Sequence, residues 1–226
     1  MIELGITHNH MGKGTRMSSL AKKRGKGIIR TVALLVLGIL YLVLVASTFI
    51  FAIDLAQDKT MQYVLHIIVI LSAFAYLLFV DTIYGAEGDR ENGRPALTFA
   101  ALYTVPVLIG RGIGLAVISF DELFAADSMF NFYAAVSLSR TVELIAWTTF
   151  FPLSMVFLAK LFFRQGKGAR GLALLCLLSA ICCFIAFMTI LSANLIYLFI
   201  GMAGWGFLFV VVIIGYLRLQ LRRSKG

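Results

Sequence analysis

The sequence predicts an all-α, polytopic integral membrane protein, a six-helix transmembrane bundle with both termini cytoplasmic. Three observations lead to that class. Of 226 residues, 61% are apolar and 14% charged, with a mean hydropathy of +0.95, whereas soluble domains are roughly 45–50% apolar and about 25% charged. The apolar residues gather into six runs, each near the length of about 20 residues that crosses a hydrocarbon core. The basic residues that give the chain its net charge of +9 fall almost wholly beside alternate ends of these runs. A soluble enzyme and a nucleic-acid-binding domain are both excluded by this composition, and the positive charge reads as a topology signal.

The first apolar run, 31–53, is uncharged and too long for the core of a signal peptide, so it reads as a retained anchor. Four of the remaining runs are 63–80, 96–120, 171–192 and 195–217. The other, 130–159, is long enough to tilt or protrude. Residues 1–30 are rich in Gly, Ser and Lys without a sustained apolar period, which predicts a disordered basic cytoplasmic tail. Residues 218–226 form a second basic cytoplasmic tail. Lys and Arg resist translocation, and seventeen of the twenty lie before the first run, between the second and third, between the fourth and fifth, or after the sixth. The opposite connections hold only Lys59, together with Asp54, Asp58, Asp121, Glu122 and Asp127. This distribution places both termini in the cytoplasm; the expected location is the plasma membrane, with the bilayer and anionic lipid at its cytoplasmic face as partners, and no nucleic acid.

The cysteines, Cys176, Cys182 and Cys183, all fall inside the fifth run and read as small packing residues, without the spacing of a metal site. His8 and His10 stand in the basic tail with no companion ligands, so neither a metal nor a cofactor is expected. Gly110 and Gly114 on the third run, and Gly201, Gly204 and Gly206 on the sixth, suit close helix packing in lipid. The stretch Gly85–Arg94 resembles the Gly-xxx-Asp-Arg-x-Gly-Arg loop between the second and third helices of major-facilitator transporters, with an extra residue between Arg90 and Gly93. A polar turn before Pro95 accounts for the same residues, and no family is assigned from it.

Charged side chains inside a span cost a few kcal/mol each, so they pair or line a wet cavity. This chain has Arg111 on the third run and Arg140 and Glu143 on the fourth. Helical spacing aligns Tyr133, Ser137, Arg140, Glu143 and Trp147 on one face, and Thr104 with Arg111 on another. His66 on the second run and Asn194 and Tyr197 on the sixth lie at a similar level. These ten residues are the candidate ligand-binding set, an outward-facing polar pocket suited to an anionic or carboxylate-bearing small molecule. The expected function is therefore solute handling, as a small permease or a substrate-capture subunit; six spans of this orientation resemble, in architecture alone, the substrate-capture subunits of energy-coupling-factor importers. The alternative is a non-catalytic accessory or sensory subunit, joined to a partner membrane subunit, in which Glu143 pairs with Arg111 structurally. No nucleophile–base pair or carboxylate dyad marks an intramembrane enzyme, and no catalytic residue is assigned.

Overall fold

A computed structural model describes residues 9–53, 58–87, 89–120, 129, 131–132, 137–192 and 194–225. Its elements are α1 (Asn9–Ile50), α2 (Lys59–Glu87), α3 (Arg90–Ile118), α4 (Leu138–Ile145), α5 (Phe151–Arg164), α6 (Arg170–Ala186), α7 (Met188–Ser192), α8 (Leu195–Met202) and α9 (Phe209–Lys225). Among the described residues there is no strand, and six helices are long and apolar enough to cross a membrane. The fourth of these joins α4 to α5 and the sixth joins α8 to α9, each through a single π-helical turn.

The helix boundaries depart from the sequence reading in two places. Residues 1–8 of the expected unstructured tail lie outside the described residues, but from Asn9 the backbone is helical and continuous with the first span. No proline interrupts this stretch, and its Lys, Arg, Ala, Leu and Met residues are good helix formers, so propagation out of an already formed helix is easy. The fourth span begins at Leu138 instead of residue 130 because Ser137 is its N-cap, with Oγ accepting a hydrogen bond from the Arg140 backbone N–H at 3.2 Å. Asn131 and Phe132 therefore lie in a turn before the helix, and Phe132 is buried.

Both π turns have local causes. Pro152, at the start of α5, brings no N–H to the helix ladder and crowds the carbonyl four residues back. The ladder is taken up by the Phe151 N–H, which donates to Ala146 O five residues earlier across Ala146–Phe150. In the sixth span the turn Ala203–Leu208 contains Gly204 and Gly206, and the Phe209 N–H donates to Gly204 O. That same carbonyl also accepts from Ser179 Oγ of α6 at 2.8 Å. A Cβ on Gly204 would lie 2.7 Å from Cys182 Cβ and 2.9 Å from Ser179 O, so the glycine permits the backbones to meet.

The core is an aromatic layer shared by α2, α3, α5 and the sixth span. Tyr76 stands edge-on to Tyr103 at 5.5 Å and to Phe209 at 5.3 Å, and Phe151 meets Phe209 at 5.3 Å. Edge-to-face geometry matches ring edge to ring face electrostatically. Two hydroxyls of this layer are satisfied internally: Tyr76 OH donates to Ser154 Oγ at 2.7 Å, which donates to Ala96 O at 2.8 Å. The first span, packed on α2 and the sixth span, is the least buried of the six.

At one end of the bundle the helix termini are tied by polar groups. Arg30 pairs with Asp81 at 2.9 Å, Arg164 with Glu91 at 2.8 Å and Asp89 at 3.3 Å, and Arg223 donates to Gln165 at 3.0 Å. Asp89 caps α3, and the hydrogen bond from the Asn92 side chain at 3.0 Å holds its carboxyl below the usual carboxylate range. These exposed pairs contribute little individually, but they tie α1 to α2 and the start of α3 to the ends of α5 and α9.

Gly204→Ala is expected to lower stability by about 1–3 kcal/mol, because its Cβ meets the Ser179 carbonyl and not merely a flexible side chain. Thermal unfolding in a mild detergent checks it. Gly112→Ala, where a Cβ meets nothing within 4 Å, is the control and should not destabilise.

Candidate functional site

Toward the opposite end, three helices carry ionisable groups to one depth. His66 lies seven residues into α2, Arg111 seven residues before the end of α3, and Glu143 five residues after the start of α4. At 1.5 Å per residue these positions are about 8–10 Å from their helix ends. The Arg111 guanidinium is gripped bidentately by Glu143: Nε donates to Oε2 and Nη2 donates to Oε1 at 2.8 Å. Its remaining terminal nitrogen, Nη1, stands 3.5 Å from His66 Nδ1. All three residues are buried, Arg111 at 6%, Glu143 at 5% and His66 at 0% exposure.

Phe132 closes the cluster. Its ring centroid is 3.9 Å from Arg111 Cζ and 5.3 Å from the His66 ring, which it meets edge-on. A desolvated guanidinium over an aromatic face gains roughly 2 kcal/mol, and the turn that carries Phe132 is fixed by the Leu138 N–H donating to Met129 O at 2.9 Å. Two glycines on α3 make room for this arrangement. A Cβ on Gly110 would fall 2.8 Å from Ser139 O and 3.6 Å from Glu143 Cβ, and one on Gly114 would enter the His66 ring. Successive turns of one α3 face thus admit α4 at Gly110 and the imidazole at Gly114.

Of the ten candidate residues, the structure brings together His66, Arg111 and Glu143. Ser137 is buried but spent on capping α4, and Arg140 lies exposed with its backbone N–H held by that cap. Trp147 sits in the π turn and packs on Trp205, ring centroids 5.4 Å apart, within the aromatic layer. Thr104 Oγ1 donates to Ala100 O at 2.8 Å and to Ala73 O at 3.3 Å. Asn194 is the exposed N-cap of α8, accepting from the Ile196 N–H at 2.9 Å, while Tyr197 is half-buried on that helix, which packs against α6. Tyr133 lies outside the described residues. The single-face stripe expected on the fourth span is thus broken at its start by the Ser137 cap and after Glu143 by the π turn.

Phe132 was not legible as a site residue, because a helix running from residue 130 assigns it no place beside Arg111. The signal that exposes it is the Ser137 cap followed by a serine and a threonine, which starts the helix later than hydropathy alone implies. Among the described residues no group of three His, Cys, Asp or Glu is arranged to hold a metal ion. The cysteines form no disulfide.

No family model, no curated protein and no solved structure is significantly similar to this chain.

Removing either partner of the buried pair leaves the other uncompensated, at a cost of about 3–5 kcal/mol. Arg111→Met and Glu143→Leu are each expected to destabilise by that order, and the double substitution to recover most of the loss. A double-mutant cycle on thermal unfolding measures the coupling; additive losses would show that the pair does not hold α3 to α4.

Proposed function

We propose that the protein is a non-catalytic accessory or sensory subunit of the plasma membrane, with both termini cytoplasmic, whose intramembrane charges pair to fix its helices. The observation that carries this reading is the state of Arg111: two of its nitrogens are taken by one carboxylate, its face by Phe132, and its third nitrogen faces His66. An anionic solute would have to displace Glu143 from a bidentate, desolvated pair, and charge-assisted forks of this kind are the strong ones. A partner membrane subunit and anionic lipid at the basic end of the bundle are the corresponding interactions.

A second reading, capture of an anionic or carboxylate-bearing solute, is favoured by the convergence of His66 and Arg111 under the Asn131–Phe132 turn. In that case Glu143 is a placeholder that yields to the solute carboxylate. Thermal shift separates the two readings. Under the first, succinate, benzoate and inorganic phosphate leave the unfolding temperature unchanged in the parent protein. A stabilisation that saturates with one of these anions and is lost in Arg111→Gln would overturn it and establish capture.

The orientation rests on the seventeen basic residues gathered on one side. Single cysteines placed at Asp58 and Met129 are expected to react with a membrane-impermeant maleimide in intact cells. Cysteines at Arg90, Lys167 and Ser224 should be protected until the cells are opened, and the reverse pattern would invert the topology.

A further inference from the structure

The cations at the basic end of the bundle divide into two groups. Arg30 pairs with Asp81, Arg164 with Asp89 and Glu91, and Arg223 donates to Gln165. Lys167 and Arg170, at the start of α6, and Arg218 and Arg222, near the end of α9, are exposed and meet no carboxylate or hydrogen-bond acceptor among the described residues. The paired acids belong to α2 and the start of α3. The α6–α9 side therefore carries four positive charges that those acids do not offset.

The packing of these two helices sets the four cations at one level. A Cβ on Gly215 would lie 3.1 Å from Leu172 Cδ1, and one on Gly204 would lie 2.7 Å from Cys182 Cβ, so α6 and the sixth span run antiparallel. From the Gly215–Leu172 contact, Arg218 lies onward along α9 and Arg170 lies back along α6, each about 3–5 Å toward the same end. Arg222 and Lys167 lie about 8–10 Å from that contact. Away from the end, the faces that carry the cations turn apolar. Val211, Ile214 and Arg218 share one face of α9, while Arg170, Leu174, Leu178 and Ile181 share an exposed face of α6. A Cβ on Gly168 or Gly171 would meet nothing within 4 Å, so the space beside the start of α6 is open.

We infer that these two faces hold an anionic phospholipid of the adjoining leaflet, an inference that rests on the membrane reading proposed above. Its phosphodiester lies among the four cations, and its acyl chains run along the apolar continuations of the same faces. Charge complementarity selects the headgroup: a guanidinium fork donates two hydrogen bonds to a phosphate, and each cation near a membrane surface adds to the attraction for anionic lipid. A zwitterionic lipid brings its own positive charge and gains less. An acidic cytoplasmic protein would meet the cations but leave the apolar side chains below them unused, whereas a phospholipid meets both.

The test uses the full chain in dodecyl maltoside, with dioleoyl phosphatidylglycerol as the probe and dioleoyl phosphatidylcholine as the comparison. The unfolding temperature is expected to rise saturably with phosphatidylglycerol and much less with phosphatidylcholine. Arg218→Gln combined with Arg222→Gln should weaken the apparent affinity about 30-fold, about fivefold for each charge, without lowering the unfolding temperature in the absence of lipid. Lys167→Gln combined with Arg170→Gln should do the same from the other helix, and decides alone if the first pair does not fold. Arg90→Gln combined with Arg94→Gln removes two exposed cations from the start of α3 and should leave the affinity nearly unchanged. An equal loss in that control would reduce the effect to net charge. A response to glycerol 3-phosphate as large as that to phosphatidylglycerol would show that the apolar faces take no part, and no preference for phosphatidylglycerol would leave the cations to an acidic protein; each of these results overturns the inference. The measurement has no sidedness and alters neither Arg111 nor Glu143, so its failure is distinct from a failure of the orientation or of the accessory reading.

Discussion

The bidentate pair between Arg111 and Glu143 is the constraint around which one half of the bundle is arranged. A guanidinium withdrawn from water demands a full set of partners, and each partner here dictates a piece of backbone. Glu143 requires α4 to approach α3 at Gly110; His66 requires α2 to approach at Gly114; Phe132 requires the chain before α4 to fold back over the cluster. The late start of the fourth helix follows from the same demand, since a helix running from residue 130 would carry Phe132 away along its axis. Charge, glycines, cap and aromatic lid form one unit, in which removing one component leaves another unsatisfied.

The other half is organised by different physics. There the aromatic layer supplies dispersion and edge-to-face contacts, and the π turns decide which residues enter it. Each turn adds a residue to the local winding, so the side chains after it are rotated by about 100° relative to an uninterrupted helix. Trp147 meets Trp205 within one of these turns, and the Gly204 carbonyl of the other, which accepts from the Phe209 N–H, also accepts from Ser179. Small residues on α6, with Gly204 opposite, then close the gap between the fifth and sixth spans without lengthening any side chain.

Much of the fold was legible because hydropathy over some twenty residues is a strong signal. The six long helices follow from composition and span counting, whereas the pairing of Arg111 with Glu143 stood only in the alternative to an expected solute pocket. What escaped lay at helix ends and irregular turns. The sequence-level stripe through Tyr133, Ser137, Arg140, Glu143 and Trp147 assumed an unbroken period of 3.6 residues, and that period fails at the Ser137 cap and again before Pro152. Asn194 looked like a pocket residue because it is polar and level with the charges, yet an asparagine before an apolar run is also a helix cap, and the backbone took that use. The helical stretch from Asn9 was missed for a related reason: a polar sequence forms a helix poorly alone but readily as the extension of one already nucleated.

The distance between Arg111 and Glu143 along the chain, 32 residues, has a meaning during biosynthesis. At roughly 5–20 residues per second, the ribosome exposes the arginine to the insertion machinery for seconds before its acid exists. A lone arginine within a nascent membrane helix opposes release into lipid by a few kcal/mol, so in the proposed topology the third helix would gain from waiting beside the translocation channel until the fourth arrives. In the proposed membrane topology the two would enter together, with the charges of Arg111 and Glu143 cancelling. A contact that in the finished protein holds two helices side by side thereby sets a timetable for their departure from the channel.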